Sequence, residues 1–228
     1  MADVEFADRA AYLPSADALV LADLHIGRDA TSNVSFPLGE RHDLTARLST
    51  LTDRFSPTEI VLAGDVLHAF DRLPEEVHDT FADLEALAGD AGATLVVVRG
   101  NHDTRVDELT DTHAEYPLAD DTVVCHGHEE PEGSAPRYVI GHDHPAIEIE
   151  GKRRPCYLHG PNAYRDSDLL VLPAFSRFAS GMVVNDLRGS GFQSPLVTGT
   201  DPLCPIVRDE ETDETYRFPP LAEFRRLL

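Results

Sequence analysis

Five times along this chain a short run of β-branched, leucine or alanine residues ends in a cluster of Asp, Asn and His. Ala18 to Ala22 leads into Asp23-Leu-His25, Ile60 to Ala63 into Gly64-Asp65, and Leu95 to Val98 precedes Gly100-Asn-His-Asp103. Val123 to Cys125 leads into His126-Gly-His128, and Tyr138 to Ile140 into Gly141-His-Asp-His144. Each run has the length of a strand and is uniformly apolar, the pattern of a strand covered on both faces.

Between the first three runs lie two helical stripes, Leu44, Leu48, Leu51, Phe55 and Val77, Phe81, Leu84, Ala88, each at i, i+4, i+7 and i+11. Strand, helix, strand, helix, strand predicts right-handed crossovers and parallel strands, with the polar clusters gathered along one sheet edge. Past Tyr138 the helical period disappears. Ala146 to Glu150, Cys156 to His159, Asp168 to Leu172 and Met182 to Val184 read as short strands of a second sheet, and Val4 to Leu13 as an extra edge hairpin. Residues 1–188 are therefore read as one domain. From Gly189 onward Gly, Pro and acidic residues dominate, including Asp209 to Glu214, and residues 189–228 are expected as a solvated extension packed on that domain or trailing it.

Charge narrows the setting. Asp and Glu number 41 against 19 Lys and Arg, a net charge of −22, and Lys152 is the single lysine. A carboxylate-rich, lysine-poor surface suits a halophilic cytosol, where ~1 M salt screens charges beyond ~3 Å. The longest apolar runs fall far short of the ~20 residues of a membrane span, and the N-terminus has no signal-peptide pattern, so the expected location is cytoplasmic with no membrane partner. Cys125, Cys156 and Cys204 are odd in number and lack CxxC spacing, which predicts free thiols instead of disulfides or a zinc ribbon.

Carboxylate, imidazole and carboxamide donors without thiolate suit divalent Mn, Fe or Zn. In Asp23-x-His25 and His142-x-His144 the i, i+2 spacing on extended backbone points both side chains the same way. A single Asp or His at a strand end is more often a turn residue, but five such clusters in the order DxH, GD, GNHD, HGH, GHxH favour a metal centre. No GxSxG, GxxxxGK[ST] or GxGxxG motif offers a rival chemistry, and Cys125 and His126, adjacent on a strand, point apart.

On these five blocks the sequence resembles the calcineurin-like metallophosphoesterases. The stretch Val171 to Gly181 is similar to small archaeal SbcD-related and bacterial DNA-ligase-associated phosphoesterases. The resemblance implies an α/β fold, a four-layer α/β/β/α sandwich of two mixed sheets with a dimetal site at the C-terminal strand ends. It further implies one metal held by Asp23, His25 and His144, the other by Asn101, His126 and His142, and Asp65 bridging both. His102 would be the general acid, oriented by Asp103. Two divalent ions, Mn favoured over Fe or Zn, would activate water for in-line attack on a phosphodiester.

The closer resemblance implies a phosphodiester substrate, with single-stranded or damaged nucleic acid and a DNA-repair role as a candidate that the −22 charge opposes at low salt, and a phosphomonoester or cyclic nucleotide as the alternative. A second copy of the chain is a candidate partner. Arg28, Arg105, His68 and His128 lie near the motifs and are candidate substrate contacts, while surface placement is expected for His42, His78 and His113. Scaffold members of this fold family forfeit a ligand or the general-acid histidine, whereas here the full set is present, so an enzyme is expected.

Overall fold

The computed structural model describes residues 3–28, 39–68, 72–187 and 191–226. Its first sheet consists of β1 (Glu5–Ala7), β2 (Ala10–Leu13), β3 (Ala18–Leu21), β4 (Glu59–Ala63) and β5 (Thr94–Val98), in that order. Helices α1 (Glu40–Phe55) and α2 (Glu75–Asp90) connect the parallel strands β3, β4 and β5, as the periodicity predicts. β1 and β2 form the expected edge hairpin.

Alternation along these strands sorts side chains by size. Leu19, Leu21, Ile60 and Leu62 face one way and pack with the buried helix stripes, Leu44, Leu48 and Leu51 of α1 and Val77, Phe81, Leu84 and Ala88 of α2. Ala18, Val20, Ala22, Val61 and Ala63 face the other way. Small residues on that face let another sheet approach, since stacked sheets sit ~10 Å apart.

The chain continues through β6 (Glu115–Pro117), β7 (Thr122–Cys125), β8 (Arg137–Ile140), β9 (Pro145–Ile149) and β10 (Lys152–Pro155). It then forms β11 (Tyr157–Tyr164), β12 (Ser167–Val171), β13 (Met182–Val183), β14 (Cys204–Asp209), β15 (Glu214–Arg217) and the short helix α3 (Leu221–Phe224). Seven strands make the second sheet, ordered β15-β14-β11-β12-β8-β7-β6, in which β8 runs parallel to both β7 and β12. Val124, Val139, Leu170, Leu172 and Ile206 from this sheet close the core against the first.

The expected α/β fold class is found, with two differences in how strands are shared out. Val123 to Cys125 and Tyr138 to Ile140, read together with the first three runs, belong to the second sheet, and β9 and β13 leave it to join β10 in a third, small sheet. Apolar runs identify strands but not their partners, because pairing is decided by contacts distant in sequence. From Gly191 onward the chain packs on the domain, one of the two expected placements, and is not solvated throughout. β14 pairs with β11, and Leu196, Leu203, Leu221 and Phe224 are buried against the outer face of the second sheet beside Leu158 and Leu169. That face is covered by the small sheet, this irregular segment and α3. Solvent exposure holds for the acidic turn and for β15, whose residues are all exposed. Among the described residues no helix is long and apolar enough to cross a membrane.

Candidate metal centre

Strands β3, β4 and β5 from one sheet and β7 and β8 from the other end on the same side of the molecule. Asp23 and His25 follow β3, Asp65 follows β4, Asn101 and His102 follow β5, His126 follows β7, and His142 and His144 follow β8. The first two turns continue the sheet pairing. The amides of Asp23, His25 and Ile26 donate to the carbonyls of Gly64, Asp65 and Val66 at 3.0, 2.9 and 2.8 Å. From below, Phe175 and Ser176 donate their amides to the carbonyls of Ala22 and Asp23 at 2.8 and 3.2 Å.

Five of these residues sit on left-handed backbone: Asp23 at φ 58°, His25 at 50°, Asp65 at 48°, His142 at 70° and His144 at 44°. Such conformations are uncommon outside glycine and persist where surroundings enforce them, often at functional sites. The motif glycines clear the space the ligands occupy. A Cβ on Gly64 would lie 2.5 Å from the His126 ring, one on Gly100 2.2 Å from the Asp65 carboxylate, and one on Gly141 2.6 Å from that of Asp23.

Two groups of donors result. Asp23, His25 and His144 form one, and Asp65, His126 and His142 the other, with donor atoms within 4.8 Å of one another in each. His144 Nε2 lies 3.0 Å from Asp23 Oδ1 and 3.4 Å from His25 Nε2. In the second group His126 Nε2 lies 3.2 Å from His142 Nδ1, 3.4 Å from Asp65 Oδ1 and 3.1 Å from Asn101 Oδ1. The His126 Nδ1–H donates to the Ala63 carbonyl at 3.0 Å, which aims Nε2 into the group. Oxygen and imidazole donors without thiolate fit a borderline-hard divalent cation in each.

Without metal, protons carry part of the positive charge. Burial pulls the His126 imidazole down, but its bond to Asp65 and the charges of Asp23 and Asp65 outweigh this and push it up to about 9. His144 is likewise raised against burial by Asp23. Burial opposes ionisation of Asp65, yet the bond and charge of His126 hold its carboxyl well below the usual range. His25 and His142 are pulled down to about 4, chiefly by burial, and are neutral at pH 7. Because His126 has a folded value above its unfolded ~6.5, its pairing stabilises the metal-free fold fully below that pH and is lost as pH rises through about 9. A cation must displace that proton. Titrating Mn into metal-free protein at pH 7 should therefore release roughly one to two protons per chain, read calorimetrically in buffers of different ionisation enthalpy. Buffer-independent heats would contradict this.

Three carboxylates expected to be chemical, or not singled out, prove to be ties. Asp103 is buried and accepts the amides of Leu67 and Gly100, each at 2.8 Å, so it clamps the turns after β4 and β5 together. Asp143 accepts the amides of Gln193 and Ser194 at 2.8 and 3.3 Å, and buried Glu40 accepts those of Gly27 and Arg28 at 2.6 and 3.2 Å. Asp103→Ala would strand two buried donors. It should cost about 2 to 5 kcal/mol in urea unfolding of the metal-free protein, and a loss under ~1 kcal/mol would refute the clamp.

His102 stands at the mouth of the centre, its amide donating to Asp65 Oδ1 at 2.9 Å and its ring 5.7 Å from that of His25. A cavity of about 270 Å³ opens there, lined by Asp65, Asn101, His102, His142, Asp143 and His144 together with Gly181, Met182 and Gln193. Of these last three, Gly181 ends the Val171 to Gly181 stretch, while Met182 and Gln193 carried no motif in the sequence. His68 lies ring to ring with His25 at 6.0 Å, and His128 with His126 at 5.2 Å, so one further imidazole flanks each group. Arg105 pairs with Glu108, and a substrate role would require that pair to open. Arg28 follows His25 on the turn held by Glu40. His42, His78 and His113 are exposed as expected, and His159 lies 3.8 Å from Asp168 on the second sheet.

The structure is similar to the Pseudomonas putida nuclease MPE, with a TM-score of 0.62 and 24% identity over 88% of each chain. It also overlaps Yfce, a phosphoesterase from E. coli, at a TM-score of 0.44 and 15% identity over 89% of this chain and 98% of that one. No curated protein matches the sequence. Residues 17–177 match the calcineurin-like phosphoesterase family. That span carries all five polar clusters and both donor groups, and the chain belongs to the calcineurin-like phosphoesterase family.

Proposed function

We propose that this protein hydrolyses phosphodiester bonds, with single-stranded nucleic acid the favoured substrate class, at a centre holding two divalent cations, manganese foremost. The observation that carries this reading is the pair of oxygen and imidazole donor groups set side by side at the strand ends. Asp23, His25 and His144 would hold one ion and Asn101, His126 and His142 the other, with Asp65 between them. When bound, such a pair supplies Lewis acidity toward phosphoryl oxygens and water. The chain's own residues do the rest. His102 belongs to neither donor group, its side chain is 43% exposed at the mouth, and it is placed to deliver a proton to a departing alkoxide. His68 and His128, both pulled down from the ordinary value chiefly by burial, are the neutral imidazoles that would contact phosphate oxygens. The wall of Gly181, Met182 and Gln193 would face the substrate's organic part.

Nuclease activity of the structural neighbour and the single-strand reading agree in chemistry, and the 24% identity leaves substrate choice to experiment. Metal-free protein supplied with Mn should hydrolyse bis(p-nitrophenyl) phosphate, and single-stranded DNA or RNA should outpace cyclic nucleotides and phosphomonoesters across a substrate panel. No Mn-dependent turnover of any diester would overturn the reading.

A charge of −22 with one lysine supports the further reading of an enzyme adapted to a salt-rich cytosol. Removing salt lengthens the Debye screening distance from ~3 Å at 1 M to ~10 Å at 0.1 M, and self-repulsion of the surface carboxylates then weakens the fold. The melting temperature should rise steeply between 0.1 M and 2 M KCl, and a flat profile would remove the salt-adapted reading.

A further inference from the structure

A second cavity, of about 210 Å³, lies apart from both donor groups. It is walled by the Asp8-Arg9 turn of the first hairpin, Pro155 at the end of β10, Tyr157 at the start of β11, Pro173 and Arg177, and Arg208 and Glu210. Three guanidinium groups on one small cavity are unusual in a chain this acidic. Its two carboxylates are already engaged. Asp8 Oδ2 accepts Arg47 Nε at 2.6 Å and its Oδ1 lies 3.5 Å from Arg177, while Glu210 Oε1 accepts the Asp8 amide at 2.7 Å and Arg208 Nε at 3.2 Å. Arg177 and Arg208 also reach Asp43 and Asp213.

Arg9 is the exception. Its Nη1 donates to the carbonyls of Ala174 and Ser176 at 3.2 and 2.7 Å, and among the described residues no carboxylate pairs with its guanidinium. Burial and the neighbouring charges of Arg47 and Arg177 pull it down to about 10, with Asp8 offsetting part of the effect. This desolvated cation lies beside Arg47 and Arg177 and faces a cavity, with Asp8, itself bonded to Arg47, as a partial counter-charge. The cavity falls below the ~300 Å³ at which pockets begin to accept drug-sized ligands, and at ~30 Å³ per water it has room for a tetrahedral oxyanion with its hydration.

We propose that this cavity binds a small divalent oxyanion, inorganic phosphate or a close analogue, between Arg9, Arg177 and Arg208. Planar guanidinium forks suit two-oxygen contacts with such an ion. The site is independent of the hydrolytic centre and of any reading of its substrate.

Inorganic phosphate titrated into metal-free protein at constant ionic strength tests it, since without metal the strand-end centre offers phosphate only imidazolium charge already matched by Asp23 and Asp65. Saturable binding of one phosphate per chain is expected, retained in Asp65→Asn and weakened about tenfold or more by Arg9→Gln. Arg177→Gln serves as the second variant should Arg9→Gln not fold, because the Arg177 side chain is 51% exposed and its loss leaves the Arg9 contacts in place. A 5′-phosphorylated trinucleotide should not compete, being too large. Absence of saturable binding, binding unchanged in Arg177→Gln, or binding abolished by Asp65→Asn overturns the proposal, and competition by the trinucleotide overturns the free ion as occupant.

Discussion

Asp65→Asn is expected to leave the fold intact while divalent-ion occupancy drops below two per chain and hydrolysis falls beyond the ~10 to 100-fold that loss of an outer partner costs. Two cations ~3.5 to 4 Å apart need a shared anionic donor to offset their repulsion, and the neutral amide removes that charge. The backbone should not object. Asn tolerates the left-handed conformation Asp65 adopts, and its Oδ1 can still accept the His102 amide that Asp65 accepts at 2.9 Å. Metal content measured by mass spectrometry after dialysis, beside the melting temperature of the metal-free variant, separates lost charge from lost structure. Two tightly held ions in Asp65→Asn would sink the bridging assignment.

His102→Ala should give the opposite signature, both ions retained and turnover lowered by ~10² to 10⁴, the range of a general-acid contribution. The imidazole is outside both donor groups, so its removal leaves their geometry alone. Substrates with good leaving groups should lose least, because p-nitrophenolate departs without a proton. An equal loss on p-nitrophenyl and alkyl diesters would contradict proton delivery.

What the sequence disclosed and what it hid follow one physical line. Asp23, His25, Asp65, His126, His142 and His144 were legible because strand-end placement is a local property, written as an apolar run and its next residues. Parallel strands then bring those ends together without further instruction. Asp103 stood in the same motif but its partners, the amides of Leu67 and Gly100, belong to the backbone, which every residue possesses and no pattern marks. Glu40 was hidden for the same reason, since its carboxylate serves the amides of Gly27 and Arg28. The segment from Gly191 to Leu203 misled through composition. Its Gly and Pro forbid a periodic stripe, yet Leu196 and Leu203 bury themselves singly against a sheet already built by others.

The left-handed turns beneath the candidate ligands also govern how such a centre is lost and regained by mutation. At Asp23, His25, Asp65, His142 and His144 a branched or bulky hydrocarbon side chain is penalised by the backbone before any ion is considered. The residues that best tolerate that geometry, Asn, Asp, His and Gly, are largely the ones that bind divalent cations or differ from a binder by one nucleotide change. Substitutions the fold accepts there therefore stay within or next to the alphabet of metal ligands. With the proposed metal centre as the seat of hydrolysis, one Asp-to-Asn exchange would silence such a chain with its architecture undisturbed and the reverse exchange would restore it, on a backbone that selection for folding alone preserves.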